Sequence, residues 1–261
     1  WMTGNEQTAQ LAWTDAQGRM HLWVVATGWG GWAASRVLHL RQSSGSHALN
    51  ALTFEPVGNL PLSWLWNTSF LVRNAPLPLQ DGGMVLPVHF ELGSKISSMA
   101  RIGPDGAFRG VTRISQRNHV LQPALIARAP GDWLALMRDE RANGKITAAH
   151  TSDSGAHWVD LPDLALDNPD ASVAAMGLSS GEYLLAHNPS LSGRDKLDLS
   201  ASANGLDWRL ISALRRGALE DEFSYPALAW ADGGVWIAYT VDRARLAWQR
   251  LEPAVTKDTK P

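Results

Sequence analysis

The 261-residue chain has no cysteine. That excludes disulfides, thiolate metal sites and a cysteine nucleophile, and it leaves the compartment open. No run of Lys and Arg stands out, and the formal net charge is −2. Both points argue against general nucleic-acid binding. No stretch reaches the ~18 consecutive apolar residues that a membrane-spanning helix needs. The eight histidines form no H-x-H or H-E-x-x-H grouping, which argues against a zinc site. No metal or organic cofactor is implied. Helical periodicity is scarce, with one short helical turn expected over 214–220. No signal peptide is visible, and Trp1 ahead of Met2 reads as a processed or truncated start to a soluble protein.

What the chain has is repetition. Thr151-Ser152-Asp153-Ser154-Gly155-Ala156-His157-Trp158 fits S/T-x-D-x-G-x-x-W, the Asp-box turn between outer strands of a β-propeller blade. A hydroxyl and a carboxylate can tie up backbone N–H groups within a tight turn, and glycine accepts the positive φ. Trp158 then tucks between strands. Fifty residues earlier lies Phe108, after Gly103-Pro104-Asp105-Gly106, and fifty later lies Trp208, after Ser202-Ala203-Asn204-Gly205. A poorer copy sits near Ser43-Ser44-Gly45, followed by Phe54.

A second element recurs out of phase, an apolar strand pair around a Gly turn. Its copies surround Gly18, Gly83, Gly131, Gly181 and Gly234. Five copies at intervals of roughly 50 residues predict an all-β propeller, with a loop inserted between the first two. The expected organisation is one domain over 1–252 and a polar, disordered tail over 253–261, after a polar arm or edge strand at residues 1–10. Of the 13 tryptophans, some should pack between blades. Gly28-Trp29-Gly30-Gly31-Trp32 reads either as a sugar-stacking loop or as an ordinary hairpin connection.

In a propeller the first strand of each blade lines the channel, so the loops leading into those strands converge at one mouth. Four such starts carry polar residues beside a proline: Arg73-Asn74-Ala75-Pro76, Leu121-Gln122-Pro123, Asp167-Asn168-Pro169-Asp170 and Glu222-Phe223-Ser224-Tyr225-Pro226. Proline at a strand start costs no ladder hydrogen bond. Their convergence is a geometric expectation. His89 and Glu91 alternate on one strand and face the same side. Arg138, Asn188 and Arg194 follow the same strands.

Gln122-Pro123, Leu136-Met137-Arg138, the Asp-box, Asp167-Asn168-Pro169, His187-Asn188-Pro189 with Arg194, and Glu222-Phe223-Ser224-Tyr225-Pro226 together resemble the bacterial sialidase-like (BNR/Asp-box, neuraminidase) family. The resemblance runs from about residue 10 to residue 250. It implies a six-bladed propeller whose mouth binds a terminal acidic sugar, such as sialic acid, through three arginines on its carboxylate. By that resemblance Arg138 matches the second arginine, Arg194 the third, and Tyr225 the nucleophile. Tyrosine is a known exception among glycosidase nucleophiles; a neutral phenol avoids repulsion from the substrate carboxylate. The family's Arg-Ile-Pro motif and acid/base aspartate, both in its opening blade, have no counterpart here. The glutamate position beside the nucleophile aligns with Gln122, which leaves Glu91 or Glu222 as substitute bases. Arg73, Gln122, Asn168, Asn188 and His89 complete the candidate binding set. Five recognisable repeats fit a first blade that is lost or separately supplied. The expected function is therefore a sialidase-type glycoside hydrolase. The alternatives are a non-catalytic propeller that binds an acidic glycan or a protein, and a hydrolase or lyase for a different acidic sugar. The oligomeric state is not legible.

Overall fold

A computed structural model describes residues 10–43, 51–142 and 144–251. Among them there is no α-helix, and five antiparallel sheets follow one another along the chain. The first sheet is β1 (Gln10–Thr14), β2 (Met20–Gly28), β3 (Gly31–Gln42) and β4 (Phe54–Asn59), paired in sequence order. The second has a split inner strand, β5 (Phe70–Val72) and β6 (Leu77–Pro78), against β7 (Met84–Phe90), β8 (Ile96–Ile102) and β9 (Phe108–Arg113). The third is β10 (Val120–Ala129), β11 (Asp132–Asp139), β12 (Thr147–Thr151) and β13 (Val159–Asp160). The fourth is β14 (Ala174–Gly177), β15 (Tyr183–His187), β16 (Lys196–Ser202) and β17 (Arg209–Arg216). The fifth is β18 (Phe223–Ala231), β19 (Gly234–Val241) and β20 (Arg245–Leu251). The protein is a five-bladed β-propeller among its described residues.

The core lies between blades, because the three middle sheets bury both faces of their second strands against their neighbours. All positions of β15, and every position of β7 except Phe90, are buried. Trp23, Val37, Val72 and Leu86 join the first two blades, Met99, Leu125 and Trp133 the next pair, and Leu136, Val173 and Leu185 the third. Leu199, Phe223, Ile237 and Tyr239 join the last two. No comparable cluster connects the fifth blade to the first among the described residues, and Trp230, Leu246 and Trp248 of the fifth stand exposed.

The Asp-box folds as its residue types predict, on the turn from β12 to β13. Thr151 Oγ1 accepts from Gly155 N at 3.0 Å, and Asp153 Oδ1 accepts from His157 N at 2.9 Å. Donation from the His157 backbone and ring and from the Thr151 hydroxyl holds the Asp153 carboxyl well below the usual range. The copy at Ser202 repeats the device, with Asn204 Oδ1 accepting from Leu206 N and Asp207 N. The copy at Ser44-Gly45, residues 1–9 and the tail beyond Leu251 lie outside the described residues. The helical turn expected over 214–220 is corrected: residues 214–216 close β17, with Leu197 paired to Arg215 and Lys196 to Arg216. The strand wins there because Leu214 is buried in the cluster that joins the last two blades, while Arg215 and Arg216 stay exposed on the sheet's outer strand.

Candidate functional site

Three strand starts share one backbone device. Gln122, Asp170 and Tyr225 are non-glycine residues in the left-handed region, at φ 55°, 54° and 54°. In β10 the pairing skips from Leu121 to Ala124, and in β18 from Ser224 to Ala227. Gln122-Pro123 and Tyr225-Pro226 are thus two residues opposite one, and such a bulge re-aims a side chain. Each left-handed residue costs about 1 kcal/mol or more, a strain that concentrates at functional sites. In the second blade the same place is the gap between β5 and β6. Pro87 of β7 lies within the stretch that this gap leaves unpaired, so its missing N–H costs nothing, and Arg73 and Asn74 occupy the gap.

The expected convergence is found. Asn74 Nδ2 donates to Gln122 O at 2.9 Å, and Arg73 Nη2 reaches across to Pro226 O at 2.8 Å. Arg138, on β11, donates from Nε to Asp170 Oδ1 at 2.5 Å and from Nη1 to Gln122 Oε1 at 3.3 Å. Arg194, ahead of β16, donates from Nη2 to Asp170 O at 2.6 Å and from Nη1 to Glu222 Oε1 at 3.0 Å. Asp170 therefore holds both guanidiniums, one by its carboxylate and one by its carbonyl. The Tyr225 ring lies beneath two arginines, with Arg73 at 5.4 Å and Arg194 at 5.8 Å from its centroid.

The electrostatics follow from these pairs. Burial works against the Arg138 charge, and the hydrogen bond and charge of Asp170 outweigh it, raising its pKa. Burial lowers Arg73 to about 10, only partly opposed by Tyr225. Burial would raise Glu222, but donation from Ser224 and Arg243 and the charge of Arg194 bring it below its ordinary value. Glu91 behaves alike: burial is overcome first by His89, whose Nε2 lies 3.0 Å from Glu91 Oε1, then by Arg138 and Lys95.

The candidate residues divide into three groups. Arg73, Gln122, Arg138, Arg194, Glu222 and Tyr225 form one connected network. Glu91 and His89 stand beside it, within reach of the Arg138 charge. Asn168 and Asn188 are fully buried and spent on backbone: Asn168 closes its own turn through Ala171, and Asn188 Nδ2 donates to Lys196 O and Phe223 O. They shape the loops from behind. Sequence reasoning missed Asp170 as the bridging group, although its motif was recognised, and it missed Arg243. The available signal was positional: the turn after each second strand returns to the mouth, and Arg243 lies on that turn in the fifth blade.

The family model for the BNR repeat-like domain matches residues 3–237. No curated protein matches. Among solved structures, the fold is similar to the Hadza microbial sialidase Hz136, at 18% identity and TM-score 0.75, covering 95% of this chain and 52% of that one. It is similar to Trypanosoma rangeli sialidase in complex with the inhibitor DANA, at 15% identity and TM-score 0.71, covering 93% and 44%. It is also similar to the same enzyme in complex with sialic acid, at 15% and 0.64, covering 90% and 42%. The chain spans about half the length of these structures, or less, and at such identities the likeness is one of fold.

Proposed function

The chain belongs to the BNR repeat-like family, and from that premise we propose that its mouth binds the carboxylate of a terminal acidic sugar of the sialic acid class. The observation that carries this is the shared grip of Asp170 on Arg138 and Arg194. It sets two guanidiniums side by side, each with N–H donors left for a ligand, in a site where their side chains are only 15% and 13% exposed. Partial burial strengthens a charge-assisted pair, and a guanidinium fork matches a carboxylate. The Trypanosoma rangeli relatives, solved with DANA and with sialic acid, support the same ligand class.

The test is a tryptophan fluorescence titration with N-acetylneuraminic acid and its unsaturated 2-deoxy analogue, with glucuronate as comparison. The reading expects saturable binding that Arg138→Ala abolishes. A folded protein that responds to none of the three would overturn it.

Turnover is the second reading, favoured by Tyr225. Tyr225 is a non-glycine residue held in the left-handed region, a strain that concentrates at functional sites, and its ring lies against Arg73 and Arg194 at the mouth. In this reading Tyr225 Oη attacks the anomeric carbon as its proton passes to Glu222 or Glu91, the C–O bond to the aglycone breaks and the departing oxygen takes a proton from water, and a second water then displaces the tyrosine oxygen and frees the sugar. Both carboxylates are already engaged, Glu222 by arginines and Glu91 by His89, and Gln122 supplies no base. These facts favour a binding propeller over an efficient hydrolase. Tyr225→Phe distinguishes them: in the hydrolase it loses turnover and keeps binding.

A further inference from the structure

Two loops on the mouth face carry tryptophan at their tips. One is the turn from β2 to β3, with Trp29 and Trp32, and the other leads from β4 to β5, with Trp64, Leu65 and Trp66. Trp29 and Trp64 are 104% and 93% exposed, and Trp66, Leu65 and Trp32 are 71%, 65% and 46% exposed. Single exposed apolar residues are ordinary, but several on adjoining tips mark an interaction surface. The two loops are joined at their bases, where Thr68 Oγ1 donates to Ala33 O at 3.2 Å and Ser35 Oγ lies 3.3 Å from Phe70 O. They also border the mouth. Lys95 Nζ lies 5.8 Å from the Trp32 ring centroid and donates to the carbonyl of Glu91, which is within reach of the Arg138 charge.

The direction of the polar groups says what the tips meet. Residues 28–35 and 56–72 contain no charged side chain. Asn67 closes its loop, with Nδ2 donating to Leu60 O at 2.7 Å and Oδ1 accepting from Leu62 N at 3.0 Å. Ser63 Oγ accepts from Trp66 N at 3.4 Å, and Ser35 Oγ donates to Trp32 O at 2.7 Å. A sugar site sets polar side chains beside its aromatic rings to hold hydroxyls, whereas these are spent on the loops' own backbone. Loops whose polar groups are satisfied internally leave water at low cost. Tryptophan settles at the headgroup level of a bilayer, with its ring in apolar surroundings and its N–H still hydrated. Protruding tips suit a surface that yields around them. The Lys95 ammonium beside Trp32 suits the lipid phosphates, with its stem along the apolar surface.

We infer that the tips at Trp29–Trp32 and Trp64–Trp66 dock the mouth face on a lipid bilayer, entering it at headgroup depth. The docking turns the mouth toward the bilayer surface. It does not depend on which ligand the mouth takes, so it stands or falls separately from the carboxylate site.

The experiment is co-sedimentation with sucrose-loaded phosphatidylcholine vesicles, which carry neither sugar nor net charge. The wild type is compared with Trp29→Ser, the double variant Trp64→Ser/Trp66→Ser, and Trp248→Ser, a control at an exposed tryptophan on β20 of the fifth blade. Each variant's melting temperature is the folding control. The expected results are partition of the wild type onto the vesicles, unchanged by added salt because the tips are uncharged. The double variant should bind at least about tenfold more weakly and Trp29→Ser about threefold, with Trp248→Ser unaffected. A folded wild type that stays in the supernatant overturns the inference. So does binding that survives in the double variant, or that Trp248→Ser weakens equally. Binding only to phosphatidylserine vesicles, abolished by salt, also overturns it, since surface charge would then be the cause. If the double variant instead loses affinity for a soluble oligosaccharide ending in N-acetylneuraminic acid while the wild type ignores vesicles, the tips belong to a glycan and the inference falls.

Discussion

The guanidinium of Arg73 lies 5.4 Å from the centre of the Tyr225 ring, and its Nη2 bonds the carbonyl of the adjacent Pro226. One side chain from the second blade thus supports both residues of a bulge in the fifth. Arg73→Met keeps the stem and removes the cation and the donor. The expected cost is about 2 kcal/mol of stability, from the lost ring contact and an unpaired carbonyl. Denaturant unfolding measures it, and an unchanged midpoint would contradict the bracing role.

Two glycines with nearly equal φ should respond differently to alanine. Gly155 and Gly18 have φ of 82° and 77°. A Cβ on Gly155 would collide with the end of Met99 and approach Trp133, whereas one on Gly18 meets open space. Gly18→Ala should cost about 1 kcal/mol, from backbone strain alone. Gly155→Ala should cost about 3 kcal/mol, since overpacking adds to it. Equal losses would mean that the blade interface yields freely around the Asp-box.

Acid should destabilise the first and fourth blades together. Burial lowers His39 to about 4, with the charges of His21 and Arg41 adding to it, and burial lowers His187 to about 4 against the pull of Asp198. His39 Nε2 lies 2.8 Å from His21 Nδ1, which in turn meets Asp15. Both depressed histidines are neutral when folded and take up a proton more readily when unfolded. Stability is therefore full above pH 6.5 and declines as pH falls towards 4, by on the order of 3 kcal/mol for each. Asp15 extends the decline: burial would raise it, yet the hydrogen bonds from His21, Arg19 and Gln17 hold it at about 2. Its contribution is lost between pH 3.8 and 2. Urea unfolding at stepped pH checks the window, and His39→Gln should flatten part of the slope.

Gln122→Glu places a carboxylate where Gln122 Oε1 now accepts from Arg138. The new charge competes for the guanidinium, so affinity for an acidic sugar should fall by about threefold. The same titration measures it, and unchanged affinity would remove Gln122 from the mouth.

Much of the fold was legible because turn chemistry is local. The Asp-box at Thr151 and the Gly turns carry their own signature, and five copies named a propeller without any long-range information. The convergence of Arg73, Gln122 and Tyr225 followed from topology, since first strands must line the channel. What was not legible is pairing between distant residues. Nothing in Asp167-Asn168-Pro169-Asp170 says that Asn168 turns inward to bond Ala171 while Asp170 turns out to bridge two arginines. Arg243 was hidden for a related reason: a lone arginine in a two-residue turn has no pattern, and only the clasp between Asp242 and Glu222, from Asp242 N to Glu222 O and from Glu222 N to Asp242 Oδ1, brings it to the mouth. The short strand end at Leu214-Arg215-Arg216 was misread because one apolar residue among arginines fits a helix turn as well as an outer strand. The partner strand β16 decides it.

The most direct test of the carboxylate site compares N-acetylneuraminic acid with its methyl ester by calorimetry. The two differ only in the group assigned to Arg138 and Arg194. The account predicts that the acid binds at least about tenfold more tightly, with the difference erased in Arg138→Ala. Equal affinity for acid and ester would contradict it.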